Sequence, residues 1–482
     1  LCIGIFVRYG EGDRNTPARI HYASVSGHRS DKFKQLASLR LDGPEWTDCS
    51  TGWRDPFQPE GADDWLSYPA LGDLLPWHSP GIKPNRTWVY DPNPDILRKR
   101  WRRLIRSADH EKATLFKETR DRTVALLALP LPETPAPPDT LHEAVPEPRI
   151  EKVAYRSFDR QNLLYDPRVI DFPRPPLWQV LGGGQVFTTE QHAQPIERGP
   201  ALVFTAHVPD MHHINGRGGR VLPLYRDRAA ASANLTPGLT RLLSRRLRLP
   251  VTAADVIAYI AAVTAHNGYT TRFAKDLQTP GVRVPLTNDP DLWQRAVRLG
   301  RQVIWLHTFG ERFVDPAEGR PAGPPKPPPD QRALVRTPIR GVNGEDMPTD
   351  ICYDAETATL IVGAGRISPV RPEVWAYEIS GMRVVKRWFD YRKKNPIGRR
   401  STPLDDIHTE EWPAEFTTEL LQLLHVLTLC VDLEPDQADL LERICSGPLI
   451  TVSDLEKANV FPVPASARKP PPAESVEAPK LL

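Results

Sequence analysis

Proline supplies 52 of the 482 residues, roughly twice the average share, and this removes pure helix bundles and coiled coils from consideration. Each proline fixes φ near −65° and lacks the amide hydrogen that a helix interior or a central strand needs. A chain so punctuated folds as short elements joined by loops and extended segments. Two runs are dense enough to break it: 129–148 (LPLPETPAPPDTLHEAVPEP), read as a linker, and 321–330 (PAGPPKPPPD), read as a surface insertion. They divide the sequence into residues 1–45, a connecting region 46–130 and a larger unit 150–464. A tail, 465–482 (ASARKPPPAESVEAPKLL), is expected to be disordered.

Hydrophobic residues make up 40% of the chain, enough for a substantial core, and the length corresponds to roughly three folded units. Lys+Arg 62 against Asp+Glu 60 leaves +2, so any polyanion-binding surface must come from local clustering. Five cysteines (Cys2, Cys49, Cys352, Cys430, Cys445) lie far apart with no CxxC pair. That excludes a zinc ribbon and a disulfide-stapled scaffold and fits a reduced, cytoplasmic setting. The longest apolar stretch, Leu420–Val431, is interrupted by Gln422, His425 and Thr428 and reads as too short and mixed to span a bilayer. Leu1–Val7 is apolar, but Arg8 follows at once, so it is no signal peptide. No membrane partner is expected.

The pattern of elements predicts an α+β fold. The opening LCIGIFVRYGE reads as a β-strand entered in mid-sheet, and the chain starts at Leu1 instead of Met. Residues 1–45, with strand-like runs Cys2–Tyr9 and Ile20–Val25 and a helix over Asp31–Leu39, are therefore read as the truncated edge of an upstream domain. Thr87–Tyr90 predicts a strand. Asn93 and Pro94 then predict a helix start, with Leu97, Trp101, Leu104 and Ile105 as its apolar stripe. Arg98, Lys99, Arg100, Arg102, Arg103 and Arg106 are expected to face outward. Further strands are predicted at Val153–Tyr155, Leu163–Tyr165, Ala201–Phe204, Arg220–Tyr225, Thr359–Val362 and Val374–Ile379. Thr252 and Asp255 predict a capped, buried helix over Val256–Thr264. A leucine-rich helix is expected over Glu419–Val431.

The strongest local signal is Ser380–Arg400. A helix from Met382 would gather Val384, Trp388 and Tyr391 on one face and Arg383, Lys386, Arg387, Lys393 and Lys394 on nearly the opposite one, followed by Arg399 and Arg400. Docked by its apolar stripe, such a helix turns its basic face toward a polyanion. The loop GIKPNRTW (81–88) offers Lys83, Asn85 and Arg86, chemistry suited to base edges or phosphates. YRSFDR (155–160) alternates aromatics with Arg156 and Arg160, the latter equally able to pair with Asp159 or Asp166. INGRGGRVLPLYRD (214–227) reads as a tight turn presenting Arg217 and Arg220, because Pro223 and the strand-like run exclude a nucleotide-binding helix start. LIVGAGRIS (360–368) reads as a hairpin for the same reason. His207, His212 and His213 lack a further ligand at metal spacing, and no metal site is expected. There is no GxxxxGK[ST], GxSxG or HExxH, and no self-contained catalytic constellation.

Several strings together resemble one family. GRGGRVLPLYRD (216–227), ADVIAYIAAVTAH (254–266), YTTRFAKDL (269–277), WLHTFGERF (305–313) and VWAYEISGMRVVKRW (374–388) are similar to the C-terminal specificity region of type ISP restriction–modification enzymes. YRSFDR and GIKPNRTWVY are similar to elements near the target-recognition part of related adenine-N6 DNA methyltransferases. The resemblance covers roughly residues 60–460. It implies that residues 1–45 are the last strands of a methyltransferase sheet and that the remainder is a mixed strand/helix module that recognises double-stranded DNA sequence-specifically. The family's (Asp/Asn/Ser)-Pro-Pro-(Tyr/Phe) motif and glycine-rich S-adenosylmethionine loop are not in this sequence. The resemblance therefore places the cofactor in an upstream domain and none in this chain. Lys83, Asn85, Arg86, Arg156, Arg160, Arg220, Lys386, Arg387, Lys393 and Lys394 are the expected DNA contacts. Two other readings remain: an orphan or degenerate methyltransferase with its cofactor site at Gly363–Gly365, and a scaffold whose basic faces meet an acidic protein.

Overall fold

A computed structural model describes residues 3–10, 12–13, 16–25, 29–49, 57, 59, 65–125, 130–134, 141, 145–214, 218–396 and 402–472. Cys2, Arg217, Arg399 and Arg400 lie outside the described residues. The first long helix, α1 (Pro94–Arg106), begins where the sequence predicts. The Asn93 side chain accepts a hydrogen bond from the Asp95 amide, Pro94 occupies the first turn, and Leu97, Trp101, Leu104 and Ile105 are buried. The strands β1 (Arg149–Arg156) and β2 (Asp159–Tyr165) form an antiparallel hairpin, and Tyr90–Asp91 pairs with the other edge of β2. A second antiparallel sheet has the order Ser79–Pro80, β5 (Gly219–Pro223), β3 (Phe187–Gln191), β4 (Leu202–Thr205). Every residue of β3 and β4 is buried.

Helix α2 (Ala253–Thr264) starts at a reciprocal cap in which Thr252 and Asp255 satisfy one another's backbone amides. It is buried from Val256 through Thr264 and packs along α3 (Pro290–His307). At their crossing a Cβ on Gly300 would lie 1.6 Å from the Ala258 carbonyl oxygen, so only glycine permits this approach. Tyr259 stacks on Trp293 beside it, with ring centroids 4.4 Å apart. A third antiparallel sheet follows, in the order β6 (Leu334–Thr337), β9 (Gly365–Ser368), β8 (Thr359–Val362), β7 (Ile351–Asp354). Helices α4 (Val384–Asp390) and α5 (Ala414–Cys445) complete the body.

These elements enclose three hydrophobic cores. One surrounds α2 and α3 as far as Ile304. The second holds Trp77, Trp88, Trp101 and Trp178 between α1 and the β1–β2 hairpin. The third lies under the β6–β9 sheet, α4 and the first half of α5. The result is mixed helix and antiparallel sheet.

Several local expectations change. Val374–Ile379 is not one strand: Pro372 opens a helical turn over Pro372–Ala376, and only Glu378–Ile379 pairs, with Met382–Arg383. Ser380 and Gly381 both adopt positive φ in the connecting turn, so the helix expected from Met382 starts at Val384. The Leu420–Val431 stretch belongs to a 32-residue helix whose most apolar window meets the length and composition of a membrane span, half of that window being buried in this fold. The 129–148 run does not separate cores, since Trp65–Leu75 joins the first and Trp88–Phe116 the second. The tail expected to be disordered is docked as far as Pro472: Arg468 pairs with Asp73 at 2.5 Å and the Pro472 carbonyl accepts from Gln179 at 2.7 Å.

At the N-terminus, Ile3–Tyr9 forms no strand pairing, and Ile5, Phe6 and Tyr9 are exposed. The two-residue strands His21–Tyr22 and Thr47–Asp48 pair with each other.

Candidate nucleic-acid interface

The arginines expected to read bases are mostly spent inside the protein. Arg86 has no exposed side-chain surface. It pairs with Asp171, donates to the Phe116 carbonyl at 2.9 Å and lies 4.1 Å from the centre of the Phe116 ring. Asn85 takes φ +60° and donates to Asp171 at 2.7 Å. A guanidinium so enclosed cannot reach a base edge, which corrects the expectation for Arg86. Arg156 pairs with Asp210 at 2.8 Å and stacks 4.0 Å from the Tyr155 ring centre. Burial alone would raise the Asp210 carboxyl, but Arg156 and His212 overcome it and hold it below its ordinary value. Arg160 chooses neither Asp159 nor Asp166. It pairs with Glu311 at 3.0 Å and lies 3.9 Å from the Phe309 ring centre. Burial would raise Glu311 as well, yet His207 and Arg160 bring it down to about 2. Arg220 makes two hydrogen bonds to Glu190, at 2.8 and 2.6 Å. Each of these three side chains is engaged by a carboxylate within the fold, Arg156 and Arg160 through one terminal nitrogen and Arg220 through two nitrogens.

The basic helices fare differently. On α4, Lys386 is exposed and Arg387 half-exposed, and neither pairs with a carboxylate among the described residues. Lys393 is tied to Asp390 at 2.9 Å and Lys394 to Glu345 at 2.8 Å, so each carries its neutraliser with it. Lys83 is half-buried, its ammonium 6.0 Å from the Phe172 ring centre. On α1, Lys99, Arg103 and Arg106 are exposed, whereas Arg100 is buried against Asp91 at 2.8 Å. Arg98 and Arg102 pair with Asp95 and Glu147.

One buried network fixes these two helices relative to each other. Tyr90, just before α1, packs on Tyr155 at 4.9 Å, and Tyr155 packs on Tyr391, at the end of α4, at 5.0 Å. The Tyr90 hydroxyl donates to Asp210. Arg392, with no exposed side-chain surface, bridges Asp159 at 2.7 Å and Glu419 at 3.2 Å and so staples α4 to β2 and α5. Arg100 also donates to the Ile407 carbonyl at 2.9 Å, beyond α4. The sequence reading missed Arg392, although helical spacing marks it: Val385, Phe389 and Arg392 recur at i, i+4, i+7, the phase of the buried face. Among the described residues no cluster of His, Cys, Asp or Glu could hold a metal ion. Gly363 and Ala364 form the two-residue hairpin turn between β8 and β9, closed by the Val362–Gly365 pair, and a Cβ on Gly363 would meet the Arg340 carbonyl oxygen at 2.3 Å. No helix opens there, as a glycine-rich cofactor loop requires.

Fold and contacts together define a rigid mixed α/β module with an arginine-stapled interior and basic helix faces outside. Over residues 73–423 the sequence matches the type ISP C-terminal specificity domain, and the chain belongs to that family. No curated protein sequence matches it. Solved structures share the fold, among them the following three. One, described as a DrdV–DNA complex, is 16% identical with a TM-score of 0.57, the match covering 86% of this chain and 42% of that one. A nuclease-deletion mutant of the type ISP restriction–modification enzyme LlaGI in complex with a DNA substrate mimic is 17% identical, TM-score 0.54, over 88% and 32%. The ATP-dependent type ISP restriction–modification enzyme LlaBIII bound to DNA is 14% identical, TM-score 0.58, over 88% and 27%. The chain thus spans less than half the length of each.

Proposed function

We propose that this chain is the double-stranded DNA target-recognition module of a type ISP-like restriction–modification enzyme that methylates adenine N6 in the cytoplasm. The observation that carries the reading is the pair Lys386 and Arg387, without carboxylate partners among the described residues, on a helix whose other face is locked into the core. Membership of the specificity-domain family supports it, as does the fold shared with proteins described in complex with DNA or a DNA mimic. An enzyme acting on a flipped adenine needs a separate rigid surface that grips the flanking duplex. Methylation, and the S-adenosylmethionine it consumes, belong in this reading to an upstream domain. The exposed apolar segment Ile3–Tyr9 is where that domain would dock.

The test is duplex binding by the full chain, followed by fluorescence anisotropy across a salt series. Each phosphate contact contributes about 0.9 to the slope of log K against log salt. Lys386→Ala with Arg387→Ala is expected to lower that slope by about 2 and to weaken all duplex sequences alike. An unchanged slope removes α4 from the interface. Calorimetry with S-adenosylmethionine is expected to show no saturable binding, and saturation would favour an orphan methyltransferase instead.

A further inference from the structure

We propose that the outer face of the β6–β9 strand pair reads guanine in the major groove, through Arg336 and Arg366. This rests on duplex DNA being the partner, and it assigns sequence reading to a different surface from the α4 phosphate grip. Alternation along the sheet sends Leu360, Val362 and Ile367 inward to the third core. The opposite face then carries Thr337, Arg366, Ile361 and Cys352 in one cross-strand row. Arg336 joins that face at a bulge between Val335 and Thr337, where its Nε donates to the Ser368 hydroxyl at 3.2 Å. Ser368 lies two residues from Arg366 and so projects the same way.

Two features distinguish these arginines from those first expected to contact DNA. Arg86, Arg156, Arg160 and Arg220 each meet a carboxylate, whereas Arg336 and Arg366 are exposed and pair with no carboxylate among the described residues. Asp354, on the far strand of the sheet, is hydrogen-bonded by the Thr357 hydroxyl and the Glu356 amide, and Arg366 acts on it through charge alone, without an ion-pair contact. With its Nε held by Ser368, Arg336 keeps both terminal nitrogens for the parallel pair of bonds that guanine O6 and N7 accept. The shape also fits. β6 is the edge strand of the four-stranded sheet and all four of its residues are exposed, so this edge is open to a groove about 12 Å wide.

The experiment is selection by the full chain from a random-sequence duplex pool, with binding measured across salt. The variants are Arg336→Lys with Arg366→Lys, which keeps charge but removes the fork, and Arg336→Gln with Arg366→Gln. The wild-type chain is expected to enrich a guanine-containing motif. The lysine pair should keep the salt slope, which also shows that it is folded, while preference at one or two guanine positions drops about tenfold or more. The glutamine pair should lose the same positions. A motif unchanged in the lysine pair overturns the proposal. So does a wild-type chain that binds duplex with the expected salt slope but enriches no motif, an outcome that leaves the phosphate grip standing. A chain that binds no duplex at all overturns both readings.

Discussion

At Arg86 a side chain with the right chemistry for a base edge has been withdrawn into the protein. Nothing local reveals this, because its partner Asp171 lies 85 residues away. The same holds for Arg156 with Asp210, Arg160 with Glu311 and Arg220 with Glu190. An arginine's chemical suitability is legible in a sequence; whether a carboxylate has already claimed it depends on contacts that form only with the fold. A consequence is measurable. Removing one partner of a buried pair leaves the other charge uncompensated, at a cost of about 3–5 kcal/mol. Arg86→Ala, which removes the cation beside Asp171 and the donor to four backbone carbonyls, is therefore expected to lower urea-unfolding stability by about 3 kcal/mol or more. It should leave the salt slope of DNA binding unchanged under conditions where the variant is folded. A stability loss below about 1 kcal/mol would show that Arg86 is not the buried staple described.

Among the elements, those specified by short-range chemistry were legible and those specified by neighbours were not. The Thr252–Asp255 cap, the Asn93–Pro94 helix start and the β8–β9 hairpin are each defined by residues within a few positions of one another. By contrast, the apolar run at 374–379 resembles a strand by composition, and Pro372 alone converts its first half to a helical turn. The basic face of α4 was legible, but Arg392 was passed over, because its buried partner Asp159 lies 233 residues away in the chain. The α2–α3 crossing shows how much an element owes to one neighbour. Gly300 has ordinary helical surroundings in sequence, yet it lies where Ala258 leaves no room for a methyl group. Overpacking of this kind costs about 1–3 kcal/mol, and a backbone oxygen cannot move aside as a side chain can. Gly300→Ala is expected to lower stability by about 3 kcal/mol by pushing α2 and α3 apart, read as a fall in the urea midpoint. A midpoint within error of the wild type would contradict that packing.

At the scale of the molecule, the prolines foretold many short elements but not how the segments between them dock. α5 runs from the third core, through Phe416–Cys430, to the first, through Leu440–Ile444, with Pro435 between the two buried stretches. The first and third cores therefore share a beam, and conditions that loosen one are transmitted to the other. Acid is such a condition. Burial lowers His213 to about 3, with Arg156 adding to the effect, and His307 to about 3, with His213 adding to it. Burial also lowers His266 to about 4, opposed by its hydrogen bond to the Val263 carbonyl. In the unfolded chain each titrates near 6.5. Between that pH and about 4 the unfolded state takes up protons that the native state refuses, so stability falls as pH falls. Each histidine contributes at most about 1.4 kcal/mol per pH unit. Glu311 has the same sign but a lower window: its stabilisation is complete above its unfolded value near 4.3 and is lost only as pH drops toward about 2. From pH 6.5 to 5 the dependence therefore belongs to the histidines. The urea midpoint is expected to fall steeply across that interval and more gently in a His266→Asn variant, compared with its own value at pH 7.5. A midpoint that stays level from pH 7 to 5 would mean that these imidazoles accept protons inside the folded protein, and that the interior joining the cores is wetter than its packing implies.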